Sequence, residues 1–122
     1  MRVCLFVLIL TLANRVIADC GNLCSETWWI SATSSALISE LENGADVNAR
    51  NRADDGKTPL HYAAQHSKSH EHLQTLLQYG AKLKARARNN LTALHTAAAF
   101  GTPDKIKVFL EAGDDINIRS KD

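Results

Sequence analysis

Histidines are the side chains of this sequence best suited to bind a metal ion or to move a proton. Three of the five, His66, His70 and His72, fall within one short polar segment. A zinc site usually adds a cysteine or a carboxylate in fixed geometry, and Glu71 alone among these histidines is a poor fourth ligand. The segment is therefore either a metal site or a polar loop enlarged by an insertion, and we favour the loop.

The other two histidines, His61 and His95, each follow a threonine by three residues. Threonine is a good residue for capping the start of a helix, and a side chain three residues later can hydrogen-bond back to it. The spacing predicts that His61 pairs with Thr58 and His95 with Thr92 in the first turns of two helices. We interpret both rings as capping groups and not as metal ligands or general bases.

The cysteines predict a short disulfide in an oxidising compartment. Cys4 lies in the N-terminal apolar run, which leaves Cys20 and Cys24 as an even pair. Three residues separate this pair, so it is not a C-x-x-C redox motif. Lipid attachment to Cys20 is disfavoured because Asp19, and not a small residue, precedes it.

The sequence lacks the motifs that are typical of an enzyme. No serine lies in a nucleophile elbow, no glycine-rich loop follows a strand pattern, and no pair of carboxylates shares a helical face with a base. Cys20 and Cys24 have no histidine or asparagine at a familiar spacing. We therefore predict neither catalysis nor a bound cofactor.

The segment 1–18 has the three regions of a secretory signal peptide. Arg2 supplies the charge, residues 3–12 are apolar, and a small residue, Ala18, ends the segment. The apolar run is shorter than the roughly 20 residues that span a bilayer. Cleavage after Ala18 would place residues 19–122 in the periplasm or outside the cell, and an uncleaved N-terminal anchor is the alternative.

Charge argues against nucleic acid and membrane surfaces as partners. The chain has 14 basic and 13 acidic side chains, and loss of residues 1–18 removes Arg2 and Arg15 but no acid. The remaining protein is close to neutral, so bulk electrostatic attraction to a polyanion is not expected.

An internal repeat organises the rest of the chain. The motif T-P-L-H at 58–61 recurs as T-A-L-H at 92–95, and each copy is followed by a pair of alanines. Downstream, apolar residues at i, i+3 and i+4 predict a second helix. A glycine three residues after the last apolar side chain is placed to end that helix with a positive φ. The glycines that satisfy this rule are Gly44, Gly80 and Gly113.

The polar stretches between copies must turn the chain back to the next first helix. Gly56 and Asn90 each precede a capping threonine by two residues. Asparagine is the next best residue after glycine for a left-handed backbone, so both positions predict the same turn. Asn90 also begins an N-x-T glycosylation sequon, but the turn explains the asparagine equally well and we prefer that explanation.

These motifs resemble the ankyrin repeat, over about residues 27–119. Residues 54–64, D-D-G-K-T-P-L-H-Y-A-A, closely match its D-x-x-G-x-T-P-L-H-x-A-A signature, and residues 44–49 match G-A-D-V-N-A. The resemblance implies an all-α solenoid of about three helix-turn-helix repeats joined by β-turn fingers. A degenerate cap would occupy residues 19–50, and full repeats 51–84 and 85–118. The compact exported form is most similar to bacterial ankyrin proteins. In this chain the middle repeat has about two more residues between its helices than the last repeat has.

The two ends of the solenoid differ from its middle. The first copy has T-W-W-I at 27–30 in place of T-P-L-H, which predicts a cap in which Trp28 and Trp29 bury a large area beside the disulfide. At the other end no polar helix follows the last repeat. We expect the outer sides of Ile106 and Phe109 to be partly exposed, with self-association as a further hypothesis.

Basic residues alternate with apolar ones along the second finger, and in an extended segment this alternation places them on one side. The resemblance implies that fingers and first helices together bind a protein partner, here one with an acidic patch. Ordinary solvated loop charge, offset by Asp54 and Asp55, is the alternative. The predicted contact residues are Arg50, Arg52, Tyr62, Gln65, Lys82, Lys84, Arg86, Arg88 and Thr96, with Ala99 and Arg119 beside them.

Overall fold

The computed structural model describes residues 20–114, so the predicted signal segment and Arg119 lie outside the described residues. Within this range the only pairing of strand type is a single bridge between Asn51 and Lys57. The prediction of an all-α fold is therefore confirmed. The elements are a short 3-10 helix at Gly21–Cys24, α1 (Glu26–Ser31), α2 (Ser34–Glu42), α3 (Pro59–His66), α4 (His70–Gln78), α5 (Ala93–Phe100) and α6 (Pro103–Glu111).

Hydroxyl side chains fix where the helices begin. Thr33 accepts a hydrogen bond from the amide of Ala36 at the start of α2, and Ser69 does the same for Glu71 at the start of α4. Proline occupies the first position of α3 and α6, where its missing N–H costs no helix hydrogen bond. The predicted starts are confirmed for α3 and α5, which begin directly after Thr58 and Thr92.

Glycine ends each second helix in the predicted way. At the end of α4 the amide of Gly80 donates to Leu77 and the amide of Ala81 donates to Leu76, at 3.1 and 2.9 Å. Gly80 has φ +94°, a left-handed conformation that glycine adopts without steric cost. Gly44 and Gly113 repeat this geometry at the ends of α2 and α6, which confirms the prediction.

The helices form two layers, with α1, α3 and α5 in one and α2, α4 and α6 in the other. Alanines at the contact between α3 and α5, including Ala63 and Ala97, are fully buried and let the two backbones approach closely. Leu73 and Leu76 of α4 are also fully buried. One helix pair falls in each of the segments 19–50, 51–84 and 85–118. No helix of the described chain is long and apolar enough to cross a bilayer.

The link between α3 and α4 is longer than the link between α5 and α6 by one residue. Residues 67–69 join the first pair, whereas residues 101–102 join the second. The predicted insertion of about two residues was therefore too large. Ser67 fills the added turn, since its hydroxyl donates to the carbonyl of Ser69 at 3.1 Å and accepts from the amide of that residue.

Tryptophan and a disulfide form the N-terminal cap. Trp29 is fully buried, and its indole N–H donates to the carbonyl of Leu23 at 2.7 Å. The half-buried ring of Trp28 meets it edge-on, with ring centroids 4.9 Å apart. The structure joins Cys20 to Cys24 with their Cα atoms 5.1 Å apart, a separation that disulfides ordinarily span.

The last repeat is exposed at different positions from those predicted. Phe109 is fully buried because α6 packs back against α4, so the expectation that its outer side is exposed was wrong. Ile106 is half-buried. The large apolar side chains exposed among the described residues of this repeat are Phe100, at 64%, and Leu110, at 38%.

Candidate partner-binding surface

Two fingers connect consecutive repeats, the first at residues 46–57 between α2 and α3 and the second at residues 82–91 between α4 and α5. In the first, Asn51 and Lys57 pair, and the amide of Gly56 donates to Asn51 at 2.8 Å. In the second, the amide of Asn90 donates to Ala87 at 2.9 Å. Gly56 and Asn90 have φ values of +68° and +65°, which confirms that asparagine replaces glycine in the same turn.

A capping histidine joins the middle repeat to the finger that follows it. The amide of Thr58 donates to Nδ1 of His61 at 3.2 Å, so Nδ1 is an acceptor and the ring proton is on Nε2. Nε2 then donates to the carbonyl of Leu91 at 2.9 Å. Burial lowers the pKa of His61, which keeps this ring neutral. His95 accepts from the amide of Thr92 in the same way, so the capping prediction is confirmed.

Tyr62 is buried beneath the exposed surface and is hydrogen-bonded to the first finger. Its hydroxyl donates to Asp54 at 2.6 Å and accepts from the side-chain amide of Asn51 at 3.0 Å. The hydrogen bond from the Tyr62 hydroxyl lowers the pKa of Asp54. Burial and the neighbouring carboxylate of Asp54 raise the pKa of Tyr62 to about 12. Tyr62 is 5% exposed. The predicted contact role is therefore corrected to a positioning role.

The two fingers are tied together at their tips. Nη1 of Arg50 donates to the carbonyl of Gly56 in its own finger at 3.1 Å and to the carbonyl of Arg86 in the next at 2.7 Å. The amide of Arg88 donates to the carbonyl of Asp55 at 2.7 Å. A backbone bond between two loops holds them at one separation, so the fingers form a single surface.

A second set of bonds ties the fingers at their base. The side-chain amide of Asn48 donates to the carbonyl of Gly80 at 3.0 Å, and its oxygen accepts from the amide of Lys82 at 2.8 Å. Nη1 of Arg86 donates to the carbonyl of Asn90 within the second finger at 2.6 Å. Side chains thus satisfy backbone groups that no helix or sheet would pair.

A groove of about 620 Å³ lies between the fingers. We call it the finger groove and define it by its four arginines. All four are exposed, and Asp46 and Asp55 line the groove beside them. The arginines are Arg50, Arg52, Arg86 and Arg88.

Lys82 and Lys84 are exposed but do not line the finger groove. The alternation of exposed and inward side chains is present, yet the second finger is not extended, because the amide of Ala85 turns back to the carbonyl of Lys82 at 3.3 Å. All four basic side chains are exposed, but only Arg86 and Arg88 line the finger groove, so the grouping of the four on one side stays a prediction. The structure instead groups Arg86 and Arg88 with the arginines of the first finger.

The exposed side of α1, α3 and α5 forms a second surface, which we call the first-helix face. Gln65 is half-exposed and Ala99, at the same repeat position, is exposed, while Thr96 is half-exposed. Sequence reasoning missed two residues of this face, His66 and its equivalent in the last repeat, Phe100. The rings of His66 and Tyr62 are stacked with centroids 6.4 Å apart, and Phe100 is 64% exposed.

The repeat register itself carried the signal for these missed residues. Residues four apart share a helix face, and His66 follows Tyr62 by four residues as Phe100 follows Thr96, so both could have been named from the residues already predicted. Ile30, 43% exposed on α1, extends this face towards the cap. The first-helix face is therefore defined by Ile30, Gln65, His66, Ala99 and Phe100.

The three clustered histidines do not converge. His72 is 3% exposed, its Nδ1 lies 2.6 Å from the hydroxyl of Ser67, and burial lowers its pKa. His66 instead lies 4.0 Å from the carboxylate of Glu26 on the first-helix face. Residues two apart on a helix point about 200° apart, which separates His70 from His72. Among residues 20–114 no group of three metal-binding side chains forms, so the structure does not support the metal-site hypothesis.

A buried lysine that the sequence did not single out joins the last repeat to the middle one. Lys105 of α6 is 4% exposed, and its Nζ donates to the carbonyl of Ala64 at 3.3 Å near the C-terminal end of α3. A cation at this end of a helix interacts favourably with the helix dipole. Burial lowers the pKa of Lys105.

Comparison with known proteins agrees with this architecture. A family model described as ankyrin repeats (3 copies) matches residues 29–120. The human protein SH3 and multiple ankyrin repeat domains protein 1 is 36% identical over 89 residues, which are 73% of this chain and 4% of that protein.

Two further relatives are equally partial matches. A Caenorhabditis elegans homolog of transient receptor potential cation channel subfamily A member 1 is 35% identical over 91 residues, 75% of this chain and 7% of its own length. The ankyrin repeat protein FPV233 of fowlpox virus is 41% identical over 58 residues, 47% of this chain and 11% of its own length. The chain thus matches only a small part of each relative. It belongs to the ankyrin-repeat family.

Proposed function

We propose that this chain is a non-catalytic interaction module that binds a protein partner through the fingers and the first-helix face. Ankyrin repeats mediate interactions between proteins, which supports a binding role. The observation that carries the proposal is the tie between the fingers, in which Arg50 bonds the carbonyl of Arg86 and the amide of Arg88 bonds Asp55. This tie presents exposed basic side chains on a rigid support.

Rigid presentation lowers the cost of binding. A partner that meets a loop already held in one conformation does not have to order that loop, so more of the contact energy contributes to affinity. The exposed ring of Phe100, at the end of α5 away from the second finger, offers an apolar contact on the first-helix face. Aromatic side chains are common anchors of interfaces, which favours a partner with an apolar side chain for this face and an acidic patch for the fingers.

We place this module outside the cytoplasm, in the periplasm or secreted, as a small exported ankyrin protein of the bacterial type. The proposal rests on the signal-like segment at 1–18 and on the pairing of Cys20 with Cys24. Mass spectrometry of the protein from its native host tests both features. We expect an N-terminus at Asp19 and no free thiol. Retention of residues 1–18 with Cys20 and Cys24 reduced would contradict export.

Site-specific crosslinking tests the binding surface. A photoreactive amino acid placed at Gln65 or Ala99 samples the first-helix face, and the same amino acid at the exposed Gln74 or Gln78 of α4 samples the opposite layer. We expect one partner to be captured from Gln65 and Ala99 and none from the α4 positions. Capture from α4 alone, or equally from all four positions, would contradict the proposed surface.

Self-association through the last repeat is a second candidate. Ala64 is fully buried by the repeat that follows it, whereas Ala98 at the equivalent position is exposed, and Leu110 is 38% exposed. Exposed apolar end faces favour pairing between solenoids. Sedimentation over a wide concentration range tests this, with a growing dimer fraction expected. A monomer at every concentration would exclude it.

A further inference from the structure

We infer that the finger groove binds an oxyanion on the partner polypeptide, either the carboxylate of Asp or Glu or the phosphate of phosphoserine, with Arg52 and Arg88 as its anchors. This inference rests on the proposed function and names the chemistry that the fingers recognise. It follows from how the four arginines divide their hydrogen bonds, from the charge of the groove, and from its size.

Two of the arginines are occupied by the fold. Arg50 donates to the carbonyls of Gly56 and Arg86, and Arg86 donates to the carbonyl of Asn90. Arg52 and Arg88 differ, because neither side chain has a hydrogen bond or ion pair with any residue between 20 and 114. The guanidinium groups of Arg50 and Arg86 thus form structural hydrogen bonds, whereas those of Arg52 and Arg88 line the finger groove without such bonds in the described chain.

The charge of the finger groove is unbalanced. Four arginines line it together with two acids, Asp46 and Asp55, and within the described chain neither acid lies within 4.0 Å of a guanidinium nitrogen as an ion pair. One carboxylate oxygen of Asp46 already accepts from the amide of Asn48 at 2.9 Å. Like charges around one cleft raise the energy of the free protein and attract an anion into the cleft.

The finger groove is open to solvent, so a segment of a polypeptide can reach it. Its volume of about 620 Å³ lies in the range of ligand sites. The small side chains of Ala49 and Ala87 line it, which lets a bound chain approach closely. Guanidinium groups bind carboxylate and phosphate in a two-pronged geometry, so two arginines that line one groove favour these groups over a neutral amide.

Binding of labelled peptides to the purified full chain tests the inference. Three peptides of one length differ only at their centre, which carries paired glutamates, paired phosphoserines or paired glutamines. We expect fluorescence anisotropy to show that the glutamate or the phosphoserine peptide binds at least about tenfold more tightly than the glutamine peptide. The stronger of the two anionic peptides identifies the source of the oxyanion.

A pair of charge-matched variants separates the finger groove from bulk charge. Replacing Arg52 and Arg88 by Ala removes two positive charges inside the groove, and replacing Lys82 and Lys84 by Ala removes two outside it. We expect the first variant to lose about tenfold or more in affinity and the second to stay within about twofold. Thermal unfolding should be alike for both, because none of the four side chains forms a structural bond within the described chain.

Three results would overturn the inference. These are equal losses in both variants, no loss in the groove variant, or tighter binding of a DNA oligonucleotide than of either anionic peptide. The proposed function fails separately, through the crosslinking from Gln65 and Ala99. A captured partner whose binding is insensitive to Arg52 and Arg88 would leave the module intact and remove the finger groove from its surface.

Discussion

The middle and last repeats begin with nearly the same motif, yet their histidines have different surroundings. Nε2 of His61 donates to the carbonyl of Leu91 in the next finger, whereas Nε2 of His95 is buried with no partner among residues 20–114. Ala64 is fully buried and its equivalent Ala98 is exposed. The comparison shows that a repeat of this chain is completed by the repeat that follows it.

Lys105 is a second example. It belongs to the last repeat, and its Nζ donates a hydrogen bond to the carbonyl of Ala64 near the end of α3 in the middle repeat. In a solenoid each unit gains stability from the neighbours that it contacts. The middle repeat packs against helices of both other repeats, so we expect it to be the most stable region of the described chain.

The largest effect should come from an added side chain at the alanine contact. Ala64→Leu forces extra volume between α3 and the following repeat and should destabilise the protein by about 1–3 kcal/mol or more. Ala98→Leu, at the equivalent exposed position, should change stability by less than about 0.5 kcal/mol. Urea unfolding of both variants measures the difference. Equal costs would contradict the stacking of repeats.

The capping histidines should differ by one hydrogen bond. His61→Ala removes a helix cap and the bond to Leu91, which together should cost about 2–3 kcal/mol. His95→Ala removes only the cap and should cost about 1 kcal/mol. Both costs can be read from chemical denaturation. A larger cost at His95 than at His61 would show that the bond to Leu91 contributes nothing.

Acid should destabilise the middle repeat. Burial lowers the pKa of His61 and of His72 below the ordinary value of 6.5, so below that pH the unfolded chain binds protons that the folded chain does not. Stability is fully present above pH 6.5 and falls as the pH drops, by at most about 1.4 kcal/mol per pH unit for each ring.

Unfolding measured between pH 7.5 and 5 checks this sign. His61→Asn should reduce the slope of stability against pH, because it removes one of the two buried rings. Stability that rises as the pH falls through this interval would show that the buried rings are not held neutral.

The smallest expected effect concerns the arginines of the first finger. Arg50→Ala removes the bonds to Gly56 and Arg86 and should cost about 1 kcal/mol. Arg52→Ala, two residues away on the same finger, removes no bond within the described chain and should be neutral for stability. Thermal unfolding of the two variants separates a structural arginine from a binding one, and a reversed order would contradict this assignment.

Local signals in the sequence were sufficient to predict the repeats and the caps and turns that end their helices. The histidine caps, the glycine at the end of α4 and the left-handed Asn90 depend on residues only a few positions apart, so their spacing predicts their geometry. The burial of Phe109 and Tyr62 depends on which way a helix packs against its neighbour. Such tertiary contacts leave no local pattern.

The candidate site was predicted only in part, for the same reason. The basic residues of the second finger are exposed as predicted, but their grouping was inferred from strand geometry that the finger does not have. Arg86 and Arg88 join Arg50 and Arg52 because a backbone bond to Asp55 brings together two fingers that are separated in the sequence by a whole helix pair. No spacing within one repeat encodes that contact.

Amide hydrogen exchange at the tip of the second finger tests the central claim, that the two fingers form one rigid surface. The amide of Arg88 donates to Asp55 in the first finger, while the amide of Asn89 donates to no atom of the described chain. We predict that Arg88 exchanges at least about tenfold more slowly than Asn89, after correction for intrinsic rates. Equal exchange at the two amides would contradict the claim and leave two independent loops.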